Sequence, residues 1–409
     1  MSMAMTTGVL QPLAATAAPS FPFSVNVFEG GSFDRAGWPS ITDASNITMH
    51  VYQSREFLDV WMNTVGDAHR AQSFLVVVKH RERGPIFYLP LVVEKKFNVR
   101  LLRFMDAGVS DFNAPIVAPG AELAREEFTA IWLMILSRLP KVDVIDLQKI
   151  PGNIMGIPNP LTYLDCTPHG TCGHAITLSA MAANLNAATS VARLRKKLRR
   201  DFRRLNQLGE TAFVINPPPA EADEIFTTLI QFKRQKYMGT TGHDFLAMPG
   251  IRRFYREMAA PRQIGGLSHI SALTCAGKVV SAHLGFTSHG CFYYTFPAYD
   301  PAYRQYSVGH LLLQHLIDRC SFDKCATFDL GEGDAPYKNK LATHKLPLSD
   351  YESALSAAGL VYLQVRRARR SLATSSAHDW QPMESDDARA PKPINCPQHS
   401  NRQRKAIQQ

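Results

Sequence analysis

Apolar residues gather along this chain in short runs of strand length and in longer stretches of helical spacing. Phe74 to Val78 and Ile86 to Val93 are nearly unbroken apolar runs joined by a charged turn from Lys79 to Gly84, which predicts two buried strands. Leu101 to Met105 predicts a third. Phe128, Ile131, Trp132, Ile135 and Leu136 share one face of a helix expected from Glu122 to Leu139, and Val142 to Leu147 reads as a further buried strand. Ahead of these, Phe57, Leu58 and Trp61 fall at helical spacing between Tyr52 and Thr64, and Phe21 to Phe28 can pair as an edge strand. The stretch from Pro151 to Leu178, rich in Pro and Gly, is expected to be an irregular connection.

Beyond it, Val191, Leu194, Leu198, Phe202, Leu205 and Leu208 form an apolar stripe, with arginines and lysines between Arg193 and Arg204 on the other faces. Phe213 to Ile215 is an expected strand and Pro217 to Pro219 a stiff break. Helices are expected from Glu221 to Tyr237 and from Gly250 to Met258. Strands follow at Ser268 to Cys275, Gly277 to His283 and Phe292 to Phe296, then a helix through Leu311 to Ile317 and a strand around Phe328. A last helix is expected from Ser353 to about Arg370, ahead of a polar tail. Strand pair, loop with acidic residues, helix, strand: this order occurs in both halves. With 409 residues, too many for one ordinary core, it predicts domains at 47–180 and 181–370 between tails at 1–46 and 371–409.

An apolar share of 45% supports sizeable cores, and a formal charge of +10 points to anionic partners. The seven cysteines are odd in number and scattered, which suits reduced thiols. Met1 to Ser20 holds no Lys or Arg, unlike the start of a secretory signal, and no apolar run is long enough to span a bilayer. The expectation is a soluble, cytoplasmic protein with no transmembrane segment.

Candidate chemistry concentrates between Gly277 and Lys338. Strands there lead into the turn Tyr299, Asp300, Pro301 and then into Arg304, Gln305, Tyr306, Ser307, Val308, Gly309, His310 and Leu311, where a helix opens. Amides from Val308 to Leu311 would lack intrahelical partners and suit a diphosphate, with Arg304 alongside. The ordinary alternative is a plain strand–turn–helix with Arg304 in solvent. Candidate bases are Glu332, Asp334, Asp329, His283 and Asp300. Asp329 alternates with Phe328 and Leu330, so it faces either a cleft or a salt bridge, whereas Glu332 and Asp334 sit on a Gly-rich loop and are favoured as base or acceptor ligand. His283 on a strand reads as a hydrogen-bonded core histidine, Asp300 as a turn initiator, and Lys338 as an anion contact or a surface lysine. Asp106, Asp111 and Asn113 either line a pocket or shape turns. Cys166, His169, Cys172 and His174 match no usual zinc spacing, so no metal is expected, and Cys291 has no basic neighbour to activate it.

The run Arg304 to Gly309 resembles the pyrophosphate signature of the GCN5-related N-acetyltransferases (GNAT), Arg/Gln-x-x-Gly-x-Gly/Ala, with Ser307 in place of the first Gly. Joined to Ala298 to Tyr303, Gly309 to Leu313 and Asp329 to Lys338, it is similar to the CelD/BcsL branch associated with bacterial cellulose and exopolysaccharide synthesis. Leu198 to Arg200, Arg203 to Leu205 and Gly209 fit that branch's start, and the likeness covers Val191 to Arg370. The resemblance implies an α/β (α+β) fold of tandem GNAT-like domains, each a mixed, largely antiparallel sheet flanked by helices, as in FemAB-type aminoacyltransferases. It implies acetyl-CoA as donor, held by Arg304 to Leu311, and a carbonyl-polarising backbone N–H near Phe296 to Tyr299. Tyr337 would protonate the leaving thiolate, Glu332, Asp334 and Asp329 supply the base, and Tyr299, Asp300, His283 and Lys338 meet the acceptor, a sugar or amine. The basic helix 190–208 would meet the phosphates of CoA, of RNA or of an anionic lipid, or simply stay solvated. Two rivals stand: an aminoacyl-tRNA-dependent transferase of the FemAB type, and a catalytically degenerate CoA-binding scaffold of a polysaccharide synthase.

Overall fold

The computed structural model describes residues 21–41, 47, 49–183, 185–240, 244–260, 268–323 and 325–377. Of the expected tails, 1–46 and 371–409, residues 1–20, 42–46 and 378–409 lie outside the described residues, whereas Phe23–Glu29 is a strand, Phe33–Ala36 a helix, and 371–377 the end of a helix. The chain divides into a compact unit, Met1–Leu360, and a second unit, Val361–Gln409, whose described part is the remainder of the last helix.

The first unit opens with β1 (Phe23–Glu29), α1 (Phe33–Ala36) and α2 (Arg55–Trp61). The strands β2 (Gln72–His80), β3 (Gly84–Lys96), β4 (Val99–Phe104) and β5 (Ile116–Val117) precede α3 (Arg125–Arg138) and β6 (Val144–Pro151). The short pair β7 (Asn153–Ile154) and β8 (Ile157–Pro158) leads to β9 (Thr167–Thr177). Next come α4 (Leu178–Ala183), α5 (Leu185–Asn206), β10 (Thr211–Ile215), α6 (Pro219–Thr240) and α7 (Ile251–Ala259). The unit continues with β11 (Ser268–Cys275), β12 (Lys278–Ser288), β13 (Cys291–Tyr299), α8 (Val308–Phe322), β14 (Thr327–Glu332) and α9 (Pro336–Leu341). It closes with β15 (His344–Ala354), and α10 (Ala357–Ala377) runs on into the second unit.

All strands but β7 and β8 join one mixed sheet of 13 strands in the order β1-β2-β3-β4-β6-β15-β9-β14-β13-β12-β11-β10, with β5 on β3. Two of its neighbouring pairs are parallel, and each is joined through a helix. β4 meets β6 at Leu101–Val144 and Leu102–Ile145 after α3, and β13 meets β14 from Cys291–Thr327 to Tyr293–Asp329 after α8. The recurrence of element order in the sequence thus corresponds to a recurrence of this parallel crossover. Phe128, Ile131, Trp132 and Ile135 of α3 are buried against one end of the sheet, while Val308, Leu311, Leu312 and Leu316 of α8 fill the core at the other.

Three expectations need correction. The segment from Pro151 to Leu178 is not irregular: β9 lies near the middle of the sheet, between β15 and β14. Its sequence hid it because β9 is held by polar contacts, from His169 to Asp350 (2.7 Å), Thr171 to Glu332 (2.6 Å) and His174 to Asn339 (3.1 Å), rather than by apolar alternation. Likewise Ser353 is not helical but belongs to β15; α10 starts at Ala357, where the Ser356 hydroxyl accepts the Gly359 N–H (3.1 Å) and donates to Asp143 (2.7 Å). Leu208, expected on the buried stripe, is 51% exposed because α5 ends at Asn206.

Candidate functional site

Helix α8 begins at an unusual cap. Pro301 to Tyr306 form a 3₁₀ turn started by Asp300, whose carboxylate accepts the Ala302 N–H at 2.9 Å. Ser307 then adopts the left-handed region, φ 53°, where glycine is the usual residue. Its hydroxyl donates to Asp201 (2.9 Å) and accepts from Lys197 (2.6 Å), which also pairs with Asp201 at 3.0 Å. Burial opposes ionisation of Asp201, but the hydrogen bonds from Lys197 and Ser307, with the Lys197 charge, outweigh it and hold the carboxyl below its ordinary pKa. The departure from glycine is therefore stabilised by a side-chain bridge from the basic helix α5.

The expectation of four open amides is halved. The His310 and Leu311 N–H groups both bond the Ser307 carbonyl at 2.9 Å. Among the described residues, the Val308 and Gly309 amides make no hydrogen bond to protein, so two donors remain. They face a cavity of about 510 Å³ whose lining includes Lys197, Tyr299, Arg304, Gly309, Tyr337 and Lys340. A Cβ at Gly309 would come within 3.0 Å of the Tyr299 ring, so glycine keeps this wall thin. Burial, then the charges of Lys197 and Lys340, lowers the pKa of His310 at the same mouth. Gln305 is exposed, and the Tyr306 ring carries the Arg204 guanidinium at 5.4 Å.

The cavity takes Tyr299, the last residue of β13, and Tyr337, just beyond β14, into its wall, and these two strands part before they reach it. β13 and β14 pair only as far as Tyr293 and Asp329; beyond them β13 stays with β12 and β14 with β9. One extra residue of β13 between Tyr293 and Phe296 forms a bulge opposite Gly285, where any Cβ would strike the Tyr293 carbonyl at 2.3 Å. The bulge places Tyr294 in the core beneath α8 and Phe296 in the core beneath α6 and α7.

Asp329 sits at the fork. It is 6% exposed and accepts the Gly331 N–H at 2.6 Å. Burial, reinforced by the Asp111 charge, raises its pKa to about 7, against the pull of the Gly331 amide and Lys338. Asp111 accepts from the Tyr52 hydroxyl (2.6 Å) and the Glu332 N–H (3.1 Å), which brings the first half's loop to the fork. Glu332 is firmly held by Thr171 (2.6 Å) and His169 (3.3 Å), with Lys149 3.9 Å away. Asp334 is exposed, and the Lys338 ammonium donates to the Glu332 carbonyl. Burial pushes the Tyr337 hydroxyl up to about 12, so it stays protonated at the cavity.

Other expected site residues lie elsewhere. His283 is fully buried, stacked on Tyr294 at 4.4 Å, with burial lowering its pKa well below the ordinary value; it does not line the cavity. Cys172, His174 and Asp334 place ligand atoms within 4.8 Å of one another, whereas His169 and Cys166 turn away, to Asp350 and to the Leu161 carbonyl. The described cysteines are all free thiols.

Asp106 and Lys149, the latter unnoticed in the sequence, form a buried pair at 2.7 Å. Burial opposes the charge on each, yet their mutual attraction lowers the Asp106 pKa and raises that of Lys149. Lys149→Met removes the cation beside this buried carboxylate and is expected to cost about 3–5 kcal/mol in urea unfolding. An unchanged midpoint in this variant would show the pair to be dispensable.

Residues 192–339 match the family described as Acetyltransferase (GNAT) domain. Among solved structures, the chain is similar to FemX (TM-score 0.47, 11% identity, covering 75% of this chain and 90% of that one). It is also similar to a tandem GNAT protein from the clavulanic acid biosynthesis pathway (TM-score 0.44, 9% identity, 81% and 99% covered). A third is L-PGS from Bacillus licheniformis (TM-score 0.40, 11% identity, 69% and 85% covered). No curated protein matches the chain. No helix among the described residues is long and apolar enough to cross a membrane.

Proposed function

We propose that this chain transfers an acyl group from acyl-CoA directly to an amine or hydroxyl, with the donor in the cavity at the start of α8. The observation that carries this reading is the meeting of two open amides, Val308 and Gly309, with Arg304, Lys197 and Lys340 around one cavity, walled also by Tyr299 at the end of β13. The amides and cations bind a diphosphate, and the parting strands give the thioester a route to the fork. Among the described residues, β13 past Tyr293 has no strand partner on its β14 side, and its backbone donors there can polarise the thioester carbonyl. Asp329, ionised above pH 7 or so, accepts the acceptor's proton. Tyr337, protonated and at the cavity wall, returns a proton to the leaving thiolate. Asp300 shapes the turn, while Glu332 and Lys338 hold the loop after β14. A role in extracellular polysaccharide synthesis rests on the sequence resemblance alone.

Release of free thiol from acetyl-CoA, scored against a panel of amines and amino sugars, tests the reading. Thiol release matched by acylated acceptor supports it. Transfer from aminoacyl-tRNA with no use of acetyl-CoA, or CoA binding with no turnover on any acceptor, contradicts it. Tyr337→Phe is expected to lower kcat by only about tenfold, because a thiolate of pKa ~8.5 leaves without much help; a loss beyond a thousandfold would assign Tyr337 a larger part.

A further inference from the structure

Among the described residues two lysines are buried, and only one of them has a carboxylate at ion-pair distance. Lys149 meets Asp106 at 2.7 Å. Lys233, on α6, is 7% exposed, and among the described residues no carboxylate lies within ion-pair distance of it. Its ammonium instead rests 4.3 Å from the centre of the Phe296 ring and 5.6 Å from that of Tyr237. Such contacts recover less than is lost on burying an ammonium. Methionine would fill the same space at no such cost.

The location gives this cation a use. Phe296 stands just past the bulge of β13, on the strand that borders the fork, and faces the side opposite α8. The donor cavity occupies the α8 side, which leaves the α6 side of the fork for an acceptor. We propose that the α6 side of the fork binds an acceptor carrying an oxyanion, a carboxylate or a phosphate, and that Lys233 is the group that receives it. This proposal rests on the acyl-CoA reading of the donor cavity. Burial first, then the charges of Lys236 and Lys338, lowers the Lys233 pKa to about 7, with Asp111 pulling the other way. An incoming oxyanion supplies the missing counter-charge and keeps the lysine ionised, while Asp329 remains free to take the proton of the reacting amine or hydroxyl.

The test uses the full-length protein saturated with CoA, so that the donor cavity is filled. Sodium acetate and sodium phosphate are compared with sodium chloride at equal ionic strength, and thermal unfolding is recorded. For wild type the melting temperature is expected to rise by about 2–4 °C with one of the two oxyanions, which tells carboxylate from phosphate. Lys233→Met and Lys233→Gln are expected to melt no lower than wild type and to lose that rise, and Lys233→Arg to keep it. An equal rise in the neutral variants, or no rise in a wild type that CoA itself stabilises, overturns the proposal. Absence of any stabilisation by CoA sinks the donor reading instead, and the wild-type and Lys233→Met responses to the oxyanions still decide this one.

Discussion

Asp329→Asn is expected to lower kcat by about 10²–10⁴-fold, the usual contribution of a positioned general base. Asparagine keeps an oxygen for the Gly331 N–H, which Asp329 now accepts at 2.6 Å, so the loop geometry should survive. The pH dependence carries the sharper signature. A base of pKa about 7 must lose its proton to act, so wild-type kcat/KM should climb with pH through that value and level off above it. The variant should lack this limb. Stability moves in the other direction. The folded state holds the Asp329 proton up to about pH 7, whereas an ordinary aspartate releases it near 3.8, so folding loses free energy as pH rises across that window. The asparagine variant should therefore gain more stability relative to wild type at pH 8 than at pH 4. If activity falls while the ascending limb persists, the base is another group, and Glu332 is the next to test.

Gly309→Trp is the second large effect. A Cβ there already approaches the Tyr299 ring to 3.0 Å, and an indole would occupy the cavity mouth beside the two open amides. Affinity for acetyl-CoA should fall at least about a hundredfold, equivalent to roughly 2.8 kcal/mol, with little change in melting temperature because the side chain can extend into the cavity. Equal affinity in variant and wild type would remove the donor from this turn.

How far the sequence reaches is clearest residue by residue. Strands β2, β3, β11, β12 and β13 and helices α3 and α8 were legible because each buries an apolar face with its own period. Strands β9 and β15 were not: their neighbours satisfy them through histidines, threonines and carboxylates, and nothing in a polar run announces a central strand. The turn at Arg304 to Gly309 was legible as an anion cradle, but the carbonyl of Ser307 closing on two of its amides depends on a left-handed residue that only coordinates reveal. Glu332 and Asp334 drew attention through their glycine neighbours. The structure instead sets Asp329 at the fork, holds Glu332 among Thr171, His169 and Lys149, and leaves Asp334 exposed. Asp201 was lost among the arginines around it. Lys233 left a readable trace, since it follows Leu229 and Ile230 at helical spacing and so puts a charge on the buried stripe of α6.

The most direct test watches the Val308 and Gly309 amides themselves, by hydrogen exchange or by their backbone resonances, as CoA is added. Slowed exchange and a large shift at these two positions, absent when CoA lacking its diphosphate is used, is the predicted outcome. Binding of CoA that leaves both amides exchanging as in the free protein would contradict the account.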